Sequence, residues 1–95
     1  MLKITIRETD EGQTISLEGR VVGAWAAELK RVWTAKAAEL AGQGVSLDMR
    51  EVTYMDEDGK QVLRQIENES GAQLIATTPW TRQLVAQIRD TNTHD

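Results

Sequence analysis

The chain has no cysteine and no phenylalanine, one proline and one histidine, and only 4% of its 95 residues are aromatic. Without thiols there is no disulfide framework, thiolate metal site, thiol nucleophile or iron–sulfur ligation, which suits a reducing compartment. The lone His94 is the penultimate residue of a polar tail, so a nucleophilic triad lacks its base. With so few aromatics, the core has to be built from Leu, Ile, Val, Ala and Met around three tryptophans. No run of 18 apolar residues occurs, and Met1-Leu2-Lys3-Ile4-Thr5-Ile6-Arg7 lacks the apolar stretch of a leader. The expectation is a cytoplasmic protein with no signal peptide and no direct membrane insertion. What is present is ordinary for one small globular domain, with 40% hydrophobic and 27% charged residues. That size excludes a two-domain enzyme, and that composition excludes wholesale disorder.

The net charge of −4 argues against a nucleic-acid partner, because phosphate binding needs a basic face. Residues 1–47 carry six acidic and six basic groups, and residues 70–95 carry two of each. All the excess therefore lies in residues 48–69, where Asp48, Glu51, Asp56, Glu57, Asp58, Glu67 and Glu69 face only Arg50, Lys60 and Arg64.

Leu2, Ile4 and Ile6 alternate with Lys3, Thr5 and Arg7, and Ile15 and Leu17 alternate with Ser16 and Glu18. Joined by Thr9-Asp10-Glu11-Gly12, the two segments predict an antiparallel hairpin ended by Gly19. From Ala24 the period changes: Trp25, Leu29, Val32, Trp33, Lys36 and Leu40 recur at helical spacing, and Gly42 and Gly44 stop the helix. Val45, Leu47 and Met49 predict a short strand, reached by a right-handed crossover. Asp56-Glu57-Asp58-Gly59 opens a second helix with Val62, Leu63 and Ile66 on its apolar face. Residues 72–76 read as a five-residue strand. Thr78 and Pro79 read as N-cap and first residue of a third helix, with Trp80, Leu84, Val85 and Ile88 inward. The order β-β-α-β-α-β-α implies an α/β domain over residues 1–90, in which a four-stranded mixed sheet starts with the hairpin. Residues 91–95 are expected to be a polar, fraying tail. Loops after the parallel strands, at 20–25, 50–58 and 77–80, gather at one edge, where partners usually dock.

The run from Val45 to Gly59, VSLDMREVTYMDEDG, resembles the signature of STAS domains, the sulfate-transporter and anti-sigma-factor-antagonist module. That pattern is an apolar strand ending in Asp, a short loop, an apolar pair, then Asp-Ser-Ser-Gly opening a helix. Leu17-Glu18-Gly19-Arg20-Val21 is similar to the family's second-strand exit, and Gly71 precedes Leu74-Ile75 as the family's glycine precedes its fourth strand. The resemblance covers roughly residues 2–90 and implies a STAS-like (SpoIIaa-like) fold and a non-enzymatic regulatory role without cofactors. In the antagonists, the second serine of the motif is phosphorylated by a partner kinase that is itself the anti-sigma factor, which weakens binding. By position that serine is Asp58 here and the first serine is Glu57, with Asp56 and Gly59 retained, so the acceptor hydroxyl is absent. Lys60 stands where the family usually has an apolar residue. The resemblance implies a protein partner, either a kinase-type anti-sigma factor or, as for accessory subunits of ABC-type transporters, a transporter ATPase. A homodimer is compatible with it.

An aspartate at a helix start carries the same sign of charge as phosphoserine, about −1 against roughly −1.5 to −2, and meets the same free N–H groups and positive dipole end. Asp58 is therefore either a constitutive imitation of the phosphorylated state or, more plainly, one of several acids that stabilise the helix start. Asp56, Glu57, Asp58, Gly59 and Lys60 are the candidate partner-binding residues, with Trp25, Tyr54 and Trp80 as candidate interface aromatics at the same edge. Clustered carboxylates also invite a metal or small-molecule site, but consecutive helical residues point about 100° apart and do not converge without a special loop. A receiver domain would explain Asp48 and Thr77 at strand ends, yet the acidic pair after the first strand and the lysine after a fifth are missing. Gly42-Gln43-Gly44 precedes a strand, the reverse of a phosphate-binding loop.

Overall fold

A computed structural model of the chain describes residues 1–10, 12–40 and 42–93. Among the described residues, four strands and three helices follow in the expected order: β1 (Leu2–Thr9), β2 (Gly12–Val21), α1 (Gly23–Leu40), β3 (Val45–Met55), α2 (Glu57–Ser70), β4 (Gln73–Ile75) and α3 (Pro79–Thr93). The strands form one mixed sheet in the order β1-β2-β3-β4, with β1 antiparallel to β2 and the other pairs parallel. Glu11 of the hairpin turn, Ala41, His94 and Asp95 lie outside the described residues.

Pairing register explains which face is covered. Ile6, Ile15, Leu47 and Leu74 stand in one row across the four strands, and the last three are buried. The neighbouring row, Thr5, Ser16, Asp48 and Ile75, points to the opposite face because side chains alternate along a strand. α1 packs on α2 and α2 on α3, forming one layer over the apolar face. Leu17, Leu47, Met49, Leu63, Ile66 and Ile88 are essentially sealed from solvent there. Each such side chain contributes about 1.5–3 kcal/mol by leaving water.

Several expectations change in detail. β2 runs to Val21, past the expected end at Gly19, because Arg20 and Val21 go on pairing with β3, and β3 runs to Met55 instead of ending near Met49. The pairs Ser16–Asp48 and Glu18–Glu51 are followed by Gly19–Val52 and Arg20–Tyr54, so β3 carries an extra residue at two places. Each extra residue is a bulge that breaks the two-residue period, and burial switches to Met49, Val52, Met55. That spacing looks like a loop in sequence. β4 pairs only over Gln73–Ile75, shorter than the expected 72–76, because the Ser70 hydroxyl takes the Ala72 N–H.

On α1 the buried stripe is Ala26, Leu29, Trp33 and Leu40, with Ala37 packed against it. Trp25, expected on that stripe, is 41% exposed, and Lys36 is exposed and paired with Glu39 at 3.3 Å. On α3 the expected inward Trp80 is also 41% exposed, and Thr81 is buried instead. Thr78 does cap this helix. Its hydroxyl accepts from the Thr81 N–H (3.1 Å), while the Thr81 hydroxyl accepts from the Thr78 N–H (3.1 Å), a reciprocal box that lets a polar residue be buried. The α3 backbone stays helical to Thr93, three residues past the boundary expected at residue 90, since extending an established helix adds a hydrogen bond per residue without needing an apolar face.

Candidate functional site

The start of α2 lies at the edge where β2 and β3 end, beside the start of α1. Asp56 is the N-cap of α2, in extended conformation, with one carboxylate oxygen accepting from the Gly59 N–H at 2.9 Å. The other oxygen accepts from the Gly23 N–H at 3.0 Å, on the first residue of α1. One side chain thus joins two helix starts, and the Asp56 N–H donates to the Val21 carbonyl at the end of β2. The N–H groups of Gly59 and then Gly23 hold the Asp56 carboxyl below the usual carboxylate range against the opposing effect of desolvation. Gly59 is buried, and a Cβ there would lie 2.2 Å from the Val21 carbonyl oxygen and 2.8 Å from Met55 Cγ. Only a glycine lets the first turn of α2 sit so close to the end of the sheet. At the other end, Gly71 closes the helix at φ 68°, with its N–H donating to the Glu67 carbonyl at 2.8 Å.

The local acidic excess is mostly answered by the fold. Arg50 makes two bonds to Asp48, at 2.9 and 2.8 Å, and this guanidinium holds the Asp48 carboxyl low, with Arg7 adding to the effect. Glu57 pairs with Arg64 at 3.4 Å and Lys60 at 3.9 Å, and Arg64 also donates to the Ile88 carbonyl at 3.1 Å, tying α2 to α3. Glu67 meets Arg89 at 3.1 Å, and Glu69 accepts the indole N–H of the buried Trp33 at 2.8 Å. Of the seven carboxylates in residues 48–69, Glu51 and Asp58 make no hydrogen bond or ion pair among the described residues.

Asp58 is exposed and lines a cleft of about 420 Å³ between α1 and α2, together with Lys30, Gln61 and Gln65. Asp56, Glu57 and Asp58 do not converge: one binds backbone amides, one reaches along α2 to Arg64, and one faces the cleft. No three His, Asp or Glu side chains among the described residues are grouped to hold a metal ion.

Of the five candidate residues at the helix start, Asp56 and Gly59 are thus built into the fold, Glu57 and Lys60 pair across one turn, and Asp58 is presented to solvent. Trp25 does not share the cleft with Asp58. Trp25 lines a groove on the β1 side of α1, while the cleft holding Asp58 is lined by Ala26, Ala27 and Lys30 of the same helix. Tyr54, 46% exposed, has the Arg20 guanidinium 5.7 Å from its ring centroid, in cation–π range. Sequence reading missed Gly23, whose backbone N–H completes the clamp, and Lys30, which lines the same cleft as Asp58 once α1 is packed beside α2.

With that geometry, solved structures can be compared. An anti-sigma factor antagonist from Mycobacterium paratuberculosis superposes with a TM-score of 0.80 at 18% identity, covering 98% of this chain and 82% of its own. The anti-sigma factor antagonist SpoIIAA in its unphosphorylated form gives 0.68 at 15% identity, over 86% of this chain and 80% of its own. This chain has the SpoIIAA-like fold. A DUF3478-family protein from Shewanella loihica PV-4, described as having that fold, gives 0.62 at 9% identity over 97% of this chain and 79% of its own. No family model matches the sequence, and no curated protein does. No helix among the described residues is long and apolar enough to cross a membrane.

Proposed function

We propose that this chain is a non-enzymatic regulatory domain that binds a protein partner through the acidic start of α2 and the α1–α2 cleft. We further propose that serine phosphorylation does not switch this contact. The observation that carries the reading is the state of Asp58, an exposed carboxylate without a hydrogen bond or ion pair among the described residues, at the helix position where the resembling motif has its phosphoacceptor. The free N–H groups and dipole of a helix start favour a negative group there, and no phosphate is needed to supply it. Two of the superposed structures are named anti-sigma factor antagonists, which supports a kinase-type anti-sigma factor as the partner.

The test is affinity purification of the tagged chain from its source cells, with mass spectrometry of what co-elutes, followed by incubation of the recovered complex with ATP. A kinase-type anti-sigma factor that co-elutes and leaves residues 56–59 unmodified supports the proposal. Recovery of a transporter ATPase replaces the partner class, and phosphate mapped to residues 56–59 overturns the phosphorylation-independent reading.

A further inference from the structure

β1 is an edge strand, and its outer side is chemically prepared for another strand. The bond from the Arg20 N–H to the Met1 carbonyl (3.1 Å) sets the parity of the antiparallel β1–β2 ladder. Residues at odd positions of β1 therefore exchange bonds with β2, and the N–H and C=O groups of Leu2, Ile4, Ile6 and Glu8 point away from it. On the helix-covered face, Leu2, Ile4 and Ile6 line an apolar groove of about 650 Å³, completed by Trp25 and Val32 of α1. On the opposite face, Lys3, opposite Glu18 of β2, and Arg7, opposite Thr14, are exposed, and neither makes a hydrogen bond or ion pair among the described residues, although Arg7 acts on Asp48 through space. Glu28 at the groove rim is already bound to Arg31.

We propose that this edge takes an extended segment of a partner protein as a fifth strand, with apolar side chains entering the Trp25 groove and acidic side chains alternating with them opposite Lys3 and Arg7. The outward groups of Leu2, Ile4 and Ile6 supply main-chain bonds, and the two faces of β1 supply the selection. The alternation is dictated by the pleat: neighbours of Ile4 and Ile6 meet oil, and neighbours of Lys3 and Arg7 meet positive charge. A second copy of this chain fits poorly, because antiparallel pairing of two β1 edges would crowd two Lys3 and two Arg7 on one face. The surface lies on the other side of α1 from the Asp58 cleft, so the proposal stands or falls apart from the reading of that cleft.

The experiment is a titration of the isotope-labelled protein with capped seven-residue peptides, one alternating valine with glutamate and one alternating valine with lysine, read by amide and indole chemical shifts. The expected result is saturable shifts on Leu2–Glu8 and the Trp25 indole with the glutamate peptide only. The double variant Lys3→Glu with Arg7→Glu should bind the glutamate peptide about tenfold more weakly, as expected for two exposed charge pairs, and should gain binding to the lysine peptide. Equal response to both peptides, shifts confined to other surfaces, or a dimer through β1 in analytical ultracentrifugation would each overturn the proposal.

Discussion

Asp56 and Gly59 show how little of a motif need be chemistry. Asp56 clamps the starts of α1 and α2, and Gly59 lets α2 approach the Val21 carbonyl, so both answer to the fold. Gly59→Ala should destabilise the domain by about 1–3 kcal/mol, since the added methyl meets backbone that cannot swing aside; urea unfolding would measure this. Asp48 and Asp56 have folded-state pKa values below their unfolded ones. Their contribution is therefore complete above the unfolded carboxylate pKa of about 4 and is lost as pH falls through the lower folded values. Stability should hold through mildly acidic pH and fall below that range, and Asp56→Asn should show a shallower fall when unfolding midpoints are compared across pH. Among the described residues the Asp58 carboxylate makes no hydrogen bond or ion pair, so only its interaction with the helix start is at stake. Asp58→Asn should cost only the charge–dipole contribution of a first-turn carboxylate, about 1 kcal/mol or less by urea unfolding, and a larger loss would return it to the fold.

Among the elements, α2 is the junction. Glu69 bonds Trp33 of α1, Arg64 bonds backbone of α3, and Gly59 abuts the end of β2. Glu69→Ala removes a charged partner from the part-buried Trp33 indole N–H and should cost about 1–3 kcal/mol, whereas Glu57→Ala, breaking exposed pairs, should cost about 1 kcal/mol or less; chemical unfolding of both variants distinguishes them. The hairpin and α2 were legible in sequence because each keeps one period throughout. The second half of β3 was not, because its two bulges replace alternation with a three-residue spacing. Trp25 and Trp80 misled for a different reason: helical spacing tells which residues share a face but not where the covered face ends. The sheet stops at β1, so the α1 face carrying Trp25 has no strand left to cover it.

At the scale of the molecule, the helix layer leaves two separate surfaces, the cleft with Asp58 and the groove beside β1. Reversing charge with Asp58→Lys and Glu57→Lys together should weaken, by about tenfold or more, binding to the partner recovered with the unaltered chain, while circular dichroism stays the same; unchanged affinity by calorimetry would place the contact elsewhere. The sequence alone determined the element order, the Thr78 cap, and the confinement of net charge to residues 48–69, because periodicity, capping and charge are local properties. Tertiary structure alone decided that five of the seven carboxylates in that segment are answered internally. Asp48, Asp56, Glu57, Glu67 and Glu69 find arginines, lysine, amides or an indole, most of them across turns and between elements, and Asp58 alone remains presented to the cleft at the helix start. Charge can be counted along a chain, but which charges remain free depends on what packing brings beside them.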